Sequence, residues 1–143
     1  MTTAHASRWR RLALPAIGVA LLLLTGLAAT LPGTGDMGIW ERWIGNAHRL
    51  GVLAAFAENG ADYPPLAHAL LALAAAAGSA VGIGVPLAIK LSLAIVLGVT
   101  IGVFGAWTRR AGLALGLWAA LLLNSVALGY LDIYTAPCLL LSL

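Results

Sequence analysis

The chain has 143 residues, 62% of them hydrophobic and only 9% charged, with a formal net charge of +3. A soluble domain is about half apolar and about a quarter charged. A chain this short cannot hide such a surplus of apolar surface in one aqueous core, so lipid is expected to be the solvent for much of it. Nor does the basic balance indicate nucleic acid. Arg8, Arg10 and Arg11 form one cluster and Arg109 and Arg110 another, with long apolar runs between them, whereas a nucleic-acid surface gathers its cations on one wet face. The single cysteine, Cys138, excludes an internal disulfide and cysteine-based zinc sites.

The first apolar run, 12–31, follows the first arginine cluster and is long enough, at about 1.5 Å per residue, to span the roughly 30 Å of a hydrocarbon core. It exceeds a usual signal-peptide core, and the segment after it, Leu31-Pro32-Gly33-Thr34-Gly35, is a poor cleavage site. A retained span is therefore predicted. The region 32–85 reads as an external loop. It holds four of the five acids (Asp36, Glu41, Glu58 and Asp62), and Trp40, Trp43, Ile44, Ala47, Leu50 and Ala54 recur at helical spacing, with Glu41, Arg42, Asn46, His48 and Arg49 largely elsewhere on the wheel. That pattern predicts an amphipathic helix in the interface, its tryptophans at headgroup depth. The Ala/Gly-rich run after Pro64-Pro65 is the least apolar and carries His68.

Two stronger runs follow, 86–107 and 111–128, then an external loop at 129–137 and the first residues of a further apolar stretch at 138–143. If both arginine clusters face the cytoplasm, an even number of crossings must separate them. The weak run after Pro64-Pro65 is then a helix packed outside without crossing, and 12–31, 86–107 and 111–128 go out, back and out. All five acids then fall on one side, whereas three full crossings would put Arg109-Arg110 outside and split Asp132 from the other acids. The expectation is an all-α, polytopic membrane protein with a cytoplasmic N-terminus, three transmembrane helices, interfacial helices in the first external loop and the start of another span.

Each ionisable residue has a structural and a chemical reading. Asp36, after Gly33-Thr34-Gly35, suits a helix N-cap, or a general base held at the membrane surface. Asp62-Tyr63-Pro64-Pro65 is an ordinary helix start. Lys90, near the start of its run, either snorkels to the headgroups or offers a counter-charge to a lipid-linked phosphate. Asn124 lies near the outer end of its run and needs a polar partner there. Asp132, in Gly129-Tyr130-Leu131-Asp132, is either a plain loop carboxylate or part of a site.

Taken in order, Gly35-Asp36 with Trp40 and Trp43, the stretch Asp62-Tyr63-Pro64-Pro65-Leu66, a helix opening near Lys90-Leu91, then Asn124 and Gly129 to Asp132 resemble the GT-C glycosyltransferases, polytopic enzymes that use polyprenyl-phosphate sugars or related lipid-linked donors. The likeness runs from Leu12 to Pro137, and the D-Y-P-P-L stretch is its specific part. It implies transfer of a hexose from a polyprenyl-phosphate donor to a hydroxyl acceptor at the outer face. Asp36 would be the essential acid of the first external loop, and Arg42, Asp62, Tyr63, Lys90, Tyr130 and Asp132 would surround the substrate. No cofactor is implied, and a divalent metal has no support in these residues. Relatives commonly carry Gln at the place of Tyr130 and Pro at that of Ser125, so the second loop departs from the pattern. With only six residues of the last apolar stretch, the complete enzyme is expected to be longer. The rival classes are a non-catalytic membrane scaffold and a transporter fragment; a transporter would show a broken helix with polar groups at the midplane.

Overall fold

The structure is a computed structural model that describes residues 3–59 and 63–142, with side chains described from residue 12 onward. The side chains of Arg8, Arg10 and Arg11, and Asp62 altogether, lie outside the described residues. Every element among those described is helical: α1 (Thr3–Ala29), α2 (Asp36–Leu50), α3 (Val52–Asn59), α4 (Pro65–Ala80), α5 (Val85–Thr108), α6 (Ala111–Leu122) running into a π-turn (Leu123–Ala127), a short 3₁₀ turn (Leu131–Tyr134) and α7 (Ala136–Leu141).

Two helical segments, Leu12–Ala29 and Val85–Thr108, are long and apolar enough to cross a membrane. A third appears if the pair Ala111–Ala127 and Leu131–Leu141, bent by 120°, counts as one broken span. Much of the apolar surface faces outward: Leu12, Val19, Leu22, Leu23 and Leu27 on α1, and Ile95 and Val99 on α5, are exposed. Contiguous apolar exposure on this scale calls for a lipid environment.

The three long elements share one direction rule. The Gly18 position of α1 meets Leu115 of α6, Thr25 meets Trp118 and Thr34 meets Leu128, so α1 and α6 run parallel. In α5, Gly105 lies against Ala114 while Lys90 reaches Val126 and Ala127, so α5 runs antiparallel to α6. Arg109 accordingly lines the same cavity as Leu14 and Pro15. One end of the bundle is thus basic. The other gathers the turn before α2, the start of α5 and the break after α6.

Four sequence expectations are corrected in detail. The amphipathic segment is two helices, because Gly51 adopts φ 81°, a conformation open to glycine at little cost. The α2–α3 pair is closed by Asn46 Nδ2 donating to Asn59 Oδ1 at 2.6 Å and by the exposed ion pair Arg49–Glu58 at 3.1 Å, worth little by itself. The 111–128 run is not one uninterrupted helix; its last turn widens to π geometry and the chain then bends. The 129–137 loop contains the 3₁₀ turn and the start of α7, which packs against α5. Asp36 is the first residue of α2, not its cap: Gly35 holds the cap position with no side-chain bond. The Ala/Gly-rich run forms α4, of 16 residues. It opens on Pro65, where a missing N–H costs nothing, and its Gly78 packs so closely on Ala88 that no Cβ would fit.

Candidate functional site

The end of α6 has an unusual carbonyl problem. A helix leaves its last four C=O groups without partners, and buried ones must find donors. Within the turn, Leu128 N donates to Leu123 O, Gly129 N to Ser125 O and Tyr130 N to Asn124 O. The next four carbonyls are met by groups far away in sequence. Lys90 Nζ donates to Val126 O at 2.7 Å and to Ala127 O at 2.5 Å. Thr34 gives its N–H (3.0 Å) and its hydroxyl (3.3 Å) to Leu128 O. Trp40 Nε1 donates to Gly129 O at 3.0 Å. Two segments that the sequence separates by about fifty residues, Thr34–Trp40 and Lys90, are in this way sewn to the same four peptide groups.

Lys90 is only 1% exposed, so neither snorkelling to the headgroups nor direct contact with an external phosphate describes it as it stands. Its amine caps the negative end of the α6 dipole. Above it lie Gly33 and Gly129, both at positive φ (82° and 86°), with Met37 between them. A Cβ on Gly129 would come within 2.6 Å of Met37 Sδ, and one on Gly33 within 3.2 Å of Lys90 Nζ. Glycine is required at both places by conformation and by space.

Over this plug stand the acids. Asp36 is half-buried at the first turn of α2, where a carboxylate suits the helix dipole. Tyr63 lies edge-on to Trp40, with ring centroids 5.3 Å apart and planes at 88°. Burial pushes the Tyr63 phenol up from its usual value of 10.0, and the neighbouring carboxylates of Asp132 and Asp36 push it further. Tyr130 adds a smaller push in the same direction. Asp36, Tyr130 and Asp132 therefore lie near enough to Tyr63 to act on its titration. Asn124, Ser125, Tyr130 and Asp132 also line a small cavity of about 120 Å³. Arg42 is the exception: it is exposed on the face of α2 opposite the buried Met37, Trp40, Trp43 and Ile44.

His68 supports this end from behind. It stacks on Trp43 (centroids 4.1 Å, planes at 18°), meets Phe56 edge-on and lies 3.5 Å from Asn59 Nδ2 through Nδ1. Burial lowers its pKa and favours the neutral ring, consistent with Nδ1 accepting from the amide. Sequence spacing singled out neither His68 nor the donors Thr34 and Trp40; Trp40 reads there as an interface anchor, and nothing local announces its bond to Gly129. Among the described residues no group of three or more His, Cys, Asp or Glu side chains is placed to hold a metal ion. No protein-family model matches the sequence, and comparison with curated proteins and with solved structures gives no match.

Proposed function

We propose that the chain forms the membrane-embedded front of a glycosyltransferase that moves a hexose from a polyprenyl-phosphate donor to a hydroxyl acceptor. The observation that carries this reading is the convergence of Asp36, Tyr63 and Asp132, from three separated stretches, at the end of the bundle away from the Arg109 cap. That end is the outer face in this reading, with the N-terminus cytoplasmic. The acceptor oxygen attacks the anomeric carbon, the bond from that carbon to the phosphate oxygen breaks, and the lipid phosphate departs with inversion. Asp36 takes the acceptor proton as general base. Tyr63, Tyr130 and Asp132, with Asp62 on the preceding stretch, offer the hydroxyl and carboxylate contacts that fix a polyhydroxyl substrate. Arg42, exposed on the far side of α2, stands outside this group and has no assigned part in the transfer. Lys90 acts as a positioning residue that holds the Asp132 turn in place.

In membranes carrying the complete protein and a labelled polyprenyl-phosphate hexose, Asp36→Asn is expected to abolish transfer while leaving insertion and expression unchanged. Full turnover in that variant removes Asp36 from the mechanism.

One observation favours a transporter instead: the 120° break after Ala127, with carbonyls freed at membrane depth. Those carbonyls are already taken by Lys90, which weighs toward the enzyme. Uptake of a solute into proteoliposomes, with no hexose transfer, would decide for the transporter.

A further inference from the structure

The basic end of the bundle holds a cavity that the proposed chemistry does not use. It has a volume of about 580 Å³ and lies between α1, α5 and α6, walled by Pro15, Gly102, Gly105, Ala114 and Trp118, with Arg109 among its lining residues. The space beside Gly102 is open: a Cβ there would meet nothing within 4 Å. Among the described residues the wall is otherwise apolar, and its one formal charge is the guanidinium of Arg109.

Arg109 is also the only non-glycine residue at positive φ among those described (φ 52°). It ends α5 in the left-handed conformation, its N–H bonded to Gly105 O. Glycine takes that position without penalty, and an L-residue pays roughly 1–2 kcal/mol for it. A strained arginine beside an apolar slot points from geometry to a ligand. Arg110, next in the chain, is exposed beside it. Basic pockets between membrane helices suit anionic lipid headgroups.

We propose that this groove binds an anionic glycerophospholipid, with its phosphate at Arg109 and an acyl chain in the slot between α1 and α5. Charge complementarity selects the headgroup, and the apolar wall selects a chain in preference to a free anion. The site is independent of the hexose-transfer reading and stands whether or not that reading holds.

The test uses the full chain in mixed micelles of phosphatidylglycerol and phosphatidylcholine at equal amounts, with lipid retention read by native mass spectrometry. Wild-type protein is expected to retain phosphatidylglycerol preferentially. Arg109→Gly, which relieves the backbone strain and so cannot be blamed on misfolding, should cut that preference about fivefold, the usual effect of one cation near an anionic headgroup. Gly102→Leu, which fills the open space without touching the charge, should lower retention of both lipids. Equal retention of the two lipids by wild type, or retention that neither variant lowers, overturns the proposal. So does a wild-type dimer that Gly102→Leu dissociates, since the groove would then belong to a second copy.

Discussion

Lys90 holds a place in the fold that its position in the sequence does not reveal. From sequence it is a cation at a span's edge; in the fold it is buried and bonded to Val126 O and Ala127 O. Burial of a charge is tolerated only with such partners. Lys90→Met preserves length but orphans two carbonyls, each costing about 1–3 kcal/mol if left unmet. The thermal midpoint of the detergent-solubilised variant should fall well below that of wild type. A Met variant as stable as the parent would mean that those carbonyls find other donors. Tyr63 carries a second residue-level expectation. Its phenol is held above 10.0 by burial and by Asp132 and Asp36. As pH rises past 10.0 the unfolded chain releases this proton while the folded chain keeps it, so the unfolded state binds fewer protons and stability falls through that window. The tyrosinate absorbance lost on Tyr63→Phe should titrate above pH 10.0. Titration at or below that value would separate Tyr63 from the two carboxylates.

At the scale of elements, the turn bearing Asp132 is held by the first loop as much as by its own helix. Trp40→Phe keeps the aromatic packing against Trp43 and Tyr63 but removes the donor to Gly129 O, a net loss of about 1 kcal/mol. Amide exchange at Gly129 to Asp132 should then speed up, with α5 unaffected; unchanged protection there would show that Trp40 does not hold the turn. Long apolar runs and the Pro64-Pro65 helix start made α1, α4 and α5 legible from sequence, and Pro65 and Pro86 both sit in first turns. The break at Gly51 and the π-turn at Leu123–Ala127 were not legible. Glycine is common in apolar runs without breaking them, and the donor that meets the carbonyls of the π-turn, Lys90, lies more than thirty residues away.

For the whole molecule, the side of the acids relative to the arginines is the decisive question. If both arginine clusters are cytoplasmic, an even number of crossings separates them. The fold places Arg109 beside Leu14 and Pro15, with Asp36 and Asp132 at the other end. In a Cys138→Ser background, cysteines at positions 110 and 132 should react with impermeant maleimide from opposite faces of sealed vesicles. Labelling of both from one face would mean that α6 does not cross. Counting crossings is a topological constraint, and it led to the expectation that the acids share one side. Their mutual arrangement was not legible, because it rests on carbonyl bonds that no local pattern encodes.

The bond from Trp118 Nε1 to Thr25 Oγ1, at 3.1 Å, joins residues 93 positions apart. While the chain is being made, α1 has therefore left the ribosome long before its partner exists. Thr25 meanwhile satisfies itself on Leu21 O, and the outward leucines of α1 need only acyl chains as neighbours. Such a helix can wait alone in the bilayer until α6 arrives, as expected when insertion precedes association. Biogenesis then has an order: the anchor first, the hairpin of α5 and α6 next, and the acid-bearing turn last, locked only when Thr34 and Trp40 meet it.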